Sequence, residues 1–185
     1  MSRLLYHRCY LCGGMDRVPD GGTEWRLKIT PFLRSIGVVV MDPTNKPCNF
    51  GIENKEIRNI RQKAKMMNDY GPVLNDKEVR AVDLRMVDVS DFLVCKIDMN
   101  FHLCGSYEEI FLANRQKKPI LIVCEDGVGK LPDWLFWTLP NDWFFDSFDK
   151  LKTYLIDVAV NPSFKERKKR WMFFDYAKLQ SQVYK

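Results

Sequence analysis

Five short apolar runs punctuate the chain: RCYLC at 8–12, GVVVMDP at 37–43, DFLVCKI at 91–97, PILIVCE at 119–125 and NDWFFD at 141–146. Each is too short for a buried helix, and none alternates apolar with polar residues as a strand with one wet face would. Strands that are apolar on both sides belong to a parallel sheet with both faces covered. The amphipathic stretches between the runs supply the cover. Helices are expected from Thr23 to about Ile36, Glu53 to Asp69, Lys77 to Val87, Ser106 to Gln116 and Phe148 to Val158, with Pro31 kinking or breaking the first. This alternation predicts a doubly wound α/β domain with a mainly parallel sheet and helices on both faces.

At 185 residues and 46% apolar, the chain suits one well-buried domain. We expect that domain over residues 1–162, followed by a basic, aromatic tail over 163–185. The tail holds seven Lys and Arg against two acidic residues, which accounts for the whole formal charge of +5. Its run KERKKRW reads more readily as a solvated or subunit-contacting face than as a grip on a phosphate backbone, so nucleic acid is not an expected partner. Trp171, Phe173, Phe174 and Tyr176 argue that part of the tail docks. No run reaches the roughly 18 apolar residues of a membrane span, and the N-terminus lacks a secretory signal pattern, so a cytoplasmic protein without a membrane partner is expected.

Of six cysteines, Cys12, Cys95 and Cys124 lie in apolar runs, where a reduced thiol behaves as a small hydrophobe. Cys9 and Cys12 form a CxxC with no second pair, and His7 and His102 are the only imidazoles. That pattern argues against a structural metal site, and no cofactor is expected.

Ligands of open parallel sheets bind beyond the carboxyl ends of the strands. Gly13, Gly14, Asp42, Asp98 and the loop at Gly105 each follow a predicted strand, so they should converge on one crevice. Asp16, Glu108 and Glu109 add carboxylates after strand ends, while Asp83 and Asp91 flank the approach to the third strand. Glu108 and Glu109 fall at a predicted helix start, where the dipole keeps a carboxylate ionised, although acidic residues are also ordinary helix-start chemistry.

Three stretches tighten this reading: YLCGG, DLRMVDVSDFLVCKI and GSYEEIFLANRQKKPI. Together they resemble the nucleoside 2-deoxyribosyltransferase family, which includes 2'-deoxynucleoside 5'-monophosphate N-glycosidases. The resemblance covers about residues 8–125, with a looser fit through PDWLF and FDSFDKLKTYL. Tyr10 matches the family's first-strand tyrosine, Asp83 its aspartate before the third strand, and Glu109 its glutamate after that strand. Phe111 stands where the family often has glycine.

What the resemblance implies is cleavage or exchange of an N-glycosidic bond. A carboxylate beneath the anomeric carbon stabilises an oxocarbenium-like state and forms a glycosyl-enzyme, as in retaining glycosidases. Glu109 would be that nucleophile, Asp83 the proton donor to the leaving base, and Tyr10 the hydroxyl that holds Glu109 by a hydrogen bond. Glu108, about 100° away on the helix, should point to solvent or a neighbouring subunit. The partners implied are a 2'-deoxynucleoside or its monophosphate, a free base and further copies of the chain in a homo-oligomer. A non-catalytic nucleotide-binding module on the same sheet is the alternative.

Supporting roles are open between ligand binding and structure. Gly13 and Gly14 allow close approach of a ligand or simply make a turn. Asp42, Asn45 and Asp98 contact base and sugar or cap turns. Trp25, with Arg26 beside it, stacks on a base or faces the core. Gly105 and Ser106 open the helix, where Ser106 donates to a phosphate or caps. His102 reads as a surface residue.

Overall fold

The computed structural model describes residues 2–53, 55–71, 77–164 and 170–182. Five parallel strands form one sheet in the order β2-β1-β3-β4-β5, with β1 Arg8–Gly13, β2 Val39–Met41, β3 Phe92–Lys96, β4 Ile120–Val123 and β5 Phe144–Phe145. The apolar runs therefore became strands for the reason given above. Every residue of β4, and residues 9–13 of β1, are buried. β2 lies at the edge, pairs only with β1 and leaves Val39 exposed.

Seven helices are described: α1 Thr23–Ser35, α2 Lys55–Met66, α3 Lys77–Val89, α4 Cys104–Arg115, α5 Asp133–Thr138, α6 Phe148–Val160 and α7 Tyr176–Gln180. α1 and α6 meet through Trp25 stacked on Phe148, at 5.7 Å between ring centroids and 24° between planes. α3 and α4 pair with each other, and both touch β1. The chain reverses direction across the sheet between β1 and β3, so the crevice expected for such folds opens where those two strands end.

Pro31 lies inside α1, which continues through it to Ser35. The carbonyl that loses its donor belongs to Leu27, which is exposed, so water can satisfy it. α4 begins at Cys104, two residues before the expected start, because Leu103 takes the N-cap position without a side-chain hydrogen bond. No described residue of α2 is buried, although its pattern is amphipathic.

The tail packs onto the domain. Phe164 and Trp171 belong to the core. The Trp171 ring lies 5.1 Å from Phe92 and runs parallel to Phe173 at 5.9 Å. Its indole N–H donates to the Tyr154 hydroxyl at 3.1 Å, which also accepts from Trp143 at 2.9 Å. At the amino ends of the strands, Phe174 N donates to Nε2 of the fully buried His7 at 3.2 Å, and Asp91 takes hydrogen bonds from Arg8 and Tyr176. The basic stretch 165–169, on which the charge argument rested, lies outside the described residues.

Candidate active site

β1 aims alternate side chains at opposite faces. Tyr10 and Cys12 point to the α3–α4 side, where Tyr10 feels the charges of Asp83 of α3 and Glu109 of α4, and Cys12 that of Glu109. All four are buried. Burial, then the charges of Glu109 and Asp83, hold the Tyr10 phenol well above its usual range, so it stays neutral. Burial also raises the Cys12 thiol, with Cys95 and Glu109 contributing.

Asp83 is the most informative of the group. Burial pushes its carboxyl up to about 6; Lys46 opposes that shift, and the charges of Glu109 and Glu53 add to it. The Lys46 ammonium, itself buried, lies 2.8 Å from Asp83 Oδ1. The same ammonium, which has three N–H donors, also donates to the Val79 carbonyl at 3.2 Å. Asp83 Oδ1 is thus a buried carboxylate oxygen met by a buried ammonium.

Glu109 is the sixth residue of α4, beyond its first turn, so the helix terminus does not stabilise its charge as expected. The Tyr10 hydroxyl makes no hydrogen bond to it either. Arg80, three residues before Asp83 on α3, donates to Glu109 Oε1 instead. The same guanidinium holds Glu108, which thus turns to Arg80 rather than only to solvent. Arg80 and Lys46 escaped the sequence reading. The available signal for Arg80 was its i,i+3 spacing from Asp83, which puts both on one helix face; Lys46 sits in a loop and gave none.

The other candidates divide. Gly14, Trp25 and Asp98 line a cavity of about 400 Å³ with Lys96, Leu103 and Phe148. Tyr10, Asp83 and Glu109 do not line it, so the expected single crevice is two adjoining features. Trp25 is buried against Phe148, with the Arg26 guanidinium 4.6 Å above its ring. Arg26 is fully buried and donates to the carbonyls of Leu11, Gly13 and Gly22, which makes it a clamp on the end of β1.

Asp42 accepts from Thr44 N and Oγ1 at 2.8 and 2.7 Å, and Asp98 from Asn100 N and Nδ2 at 2.9 Å, so both cap turns. Asn45 N donates within the Asp42 turn. Gly13 is required by packing: a Cβ there would lie 3.0 Å from Lys96 O and 3.1 Å from the Trp25 ring. At Gly14 a Cβ would meet Leu103 at 2.9 Å. Gly105 gives its carbonyl to Arg80, and Ser106 lies buried within α4 with its carbonyl accepting from Cys12 Sγ, so it is not the N-cap. Phe111 stacks on Trp134 of α5, away from the carboxylates. His102 is exposed.

All six cysteines are unbonded, and the described residues contain no cluster of three His, Cys, Asp or Glu suited to a metal ion. No described helix is long and apolar enough to cross a membrane.

The architecture defines a doubly wound α/β protein with a buried carboxylate pair beside the carboxyl edge of its sheet. No protein-family model matches the chain, and no curated protein matches it in sequence. Among solved structures, a 2-deoxyribosyltransferase from the psychrotolerant bacterium Bacillus psychrosaccharolyticus aligns over 80% of this chain and 91% of its own, with a TM-score of 0.54 and 17% identity. The CMP N-glycosidase BcmB of Clostridium botulinum aligns over 80% of this chain and 97% of its own, with a TM-score of 0.46 and 12% identity. The first of these likenesses shows that the chain has the fold of that 2-deoxyribosyltransferase.

Proposed function

We propose that the protein cleaves or exchanges the N-glycosidic bond of a 2'-deoxynucleoside or its 5'-monophosphate, with Glu109 as nucleophile. The observation that carries this reading is the pairing of buried Glu109 with a buried Asp83 whose carboxyl is raised to about 6. A buried carboxyl that holds its proton up to about 6 suits an acid, and a second buried carboxylate beside it suits a nucleophile. A Glu109 oxygen attacks C1' as the bond to the base breaks, and Asp83 delivers a proton to the departing base. Tyr10, held neutral by burial, supplies a hydroxyl donor beside the two carboxylates. A second base attacking C1' gives transfer and water gives hydrolysis, each releasing Glu109. The expected assembly is a homo-oligomer, and the expected location the cytoplasm.

The test is incubation with deoxycytidine, deoxyadenosine, thymidine and their monophosphates, with and without an acceptor base, and chromatography for released base. Glu109→Gln should abolish release while the circular dichroism spectrum stays that of the parent. A 2-fluoro-2-deoxynucleoside should label Glu109. Full activity in the Gln variant, or label on Glu108, would refute the assignment.

One observation favours a second reading, a non-catalytic nucleotide-binding module: a ligand confined to the 400 Å³ cavity would touch neither Glu109 nor Asp83. Saturable nucleotide binding with no base released by the parent protein would select it.

A further inference from the structure

The adjacent glutamates of α4 share one cation. Arg80 Nε and Nη2 donate to Glu108 Oε2 at 2.9 and 2.7 Å, Nη2 donates also to the Gly105 carbonyl at 2.8 Å, and Nη1 donates to Glu109 Oε1. The Glu109 side chain is 7% exposed and that of Glu108 is 58% exposed, so the guanidinium reaches from the surface to the buried carboxylate. We propose that Arg80 is the positioning residue for Glu109, and that Glu108 is present to hold Arg80. This rests on Glu109 being the nucleophile.

Three facts lead there. A carboxylate removed from water needs a hydrogen-bonding partner, and neither the start of α4 nor Tyr10 supplies one here. Arg80 does, and it engages one named oxygen, Oε1, which fixes the plane of the carboxylate. Arg80 is itself fixed, because Glu108 and the Gly105 carbonyl occupy the rest of its fork. An exposed surface ion pair alone would contribute little. Glu108 has a different use: it orients a cation whose other end works in a buried setting. The remaining titratable neighbours of Glu109 are Tyr10 and Cys12 on β1, Asp83 on α3 with its partner Lys46, and the buried Arg26 of α1, whose guanidinium is spent on backbone carbonyls. Of these only the neutral Cys12 thiol also hydrogen-bonds Glu109, and Arg80 alone brings a charge-assisted bond to it. Lysine could not replace Arg80, since a single ammonium cannot span both carboxylates and the carbonyl.

The experiment compares the parent chain with Arg80→Met, Arg80→Lys, Glu108→Gln and the Met/Gln double variant. The readouts are the rate of labelling by a 2-fluoro-2-deoxynucleoside, and kcat and KM for the deoxynucleoside. Loss of one charge-assisted hydrogen bond at the reacting group predicts labelling about 10- to 100-fold slower in Arg80→Met. KM should stay within about threefold, so that the loss falls on kcat. Arg80→Lys should recover only a small part of the rate. Glu108→Gln should slow labelling, and it should add nothing in the double variant, because both changes act through one path.

Equal labelling rates in the parent and Arg80→Met overturn the proposal. Glu108→Gln alters an exposed carboxylate and reports even where Arg80→Met does not fold; a parental rate in it overturns the proposal as well. A parent protein that is never labelled on Glu109 removes the nucleophile itself, and this inference with it.

Discussion

Asp83 is a carboxyl group that folding makes harder to ionise. Its pKa rises from 3.8 to about 6, chiefly through burial. Below 3.8 the folded and unfolded chains both hold the proton. Between 3.8 and about 6 only the folded chain holds it, so this group's contribution to stability is lost as pH rises through that window and is constant above it. The change is on the order of 2–3 kcal/mol. Asp83→Asn removes the titration, so the stability of the parent relative to this variant should fall from pH 4 to 6 and then level off in urea titrations. On the acid role proposed for Asp83, base release follows the same proton. Base release by the parent should decline as pH climbs through about 6, and Asp83→Asn should lack that limb. A parent profile flat across pH 5–7, with release still intact in Asp83→Asn, would strip Asp83 of the acid role.

At the scale of elements, the approach of α1 to β1 is set by a backbone position more than by a side chain. Gly22 is the N-cap of α1, at φ 72°, and a Cβ there would lie 2.2 Å from the Gly14 carbonyl oxygen. That obstacle is main chain and cannot swing aside. Gly21 has a similar φ of 67°, but its Cβ would meet only the end of the flexible Arg58 side chain. Gly22→Ala should therefore cost about 2–3 kcal/mol or more and Gly21→Ala nearer 1 kcal/mol, as read from urea midpoints. Equal losses would show that backbone dihedrals alone, not the contact with Gly14, set the cost. The same region shows what a sequence can disclose. Continuous apolar runs revealed the strands, because burial on both faces leaves no polar position. α5 went unread because Asp133–Thr138 is six residues long and lies between Pro132 and Pro140. The start of α4 was misplaced because Leu103 caps without a side-chain bond. Tyr10, Asp83 and Glu109 were legible from their places in recognisable stretches, whereas the cations that hold the two carboxylates were not. Which Lys or Arg meets a buried acid depends on how helices dock, and twenty-nine such residues were available.

For the molecule as a whole, the sheet separates two tasks. Its carboxyl edge carries the buried acids and the cavity. Its amino edge is closed by the C-terminal segment, through His7 to Phe174, Asp91 to Tyr176, and Trp171 against Phe92. Cooperativity should then depend on a segment remote from the chemistry. Trp171 is 4% exposed, and its indole shares the Tyr154 hydroxyl with Trp143. Trp171→Ala opens a cavity and removes one donor, at a cost of about 3–5 kcal/mol. Typical domains have only about 5–15 kcal/mol of stability, so this is a large share of the whole. Tyr154→Phe keeps the ring but leaves two indole N–H groups without their acceptor, which costs about 1–3 kcal/mol for each donor that stays buried. Both variants should shift the whole urea transition to lower denaturant rather than produce a second, separate one, because the segment shares its core with β3 and α6. At temperatures where Trp171→Ala remains folded, its base release per folded molecule should equal the parent's, since Trp171 touches neither Arg80 nor the buried acids. A separate early transition assigned to the C-terminal segment, with the rest melting as in the parent, would show that the segment is an appendage instead of a wall of the core.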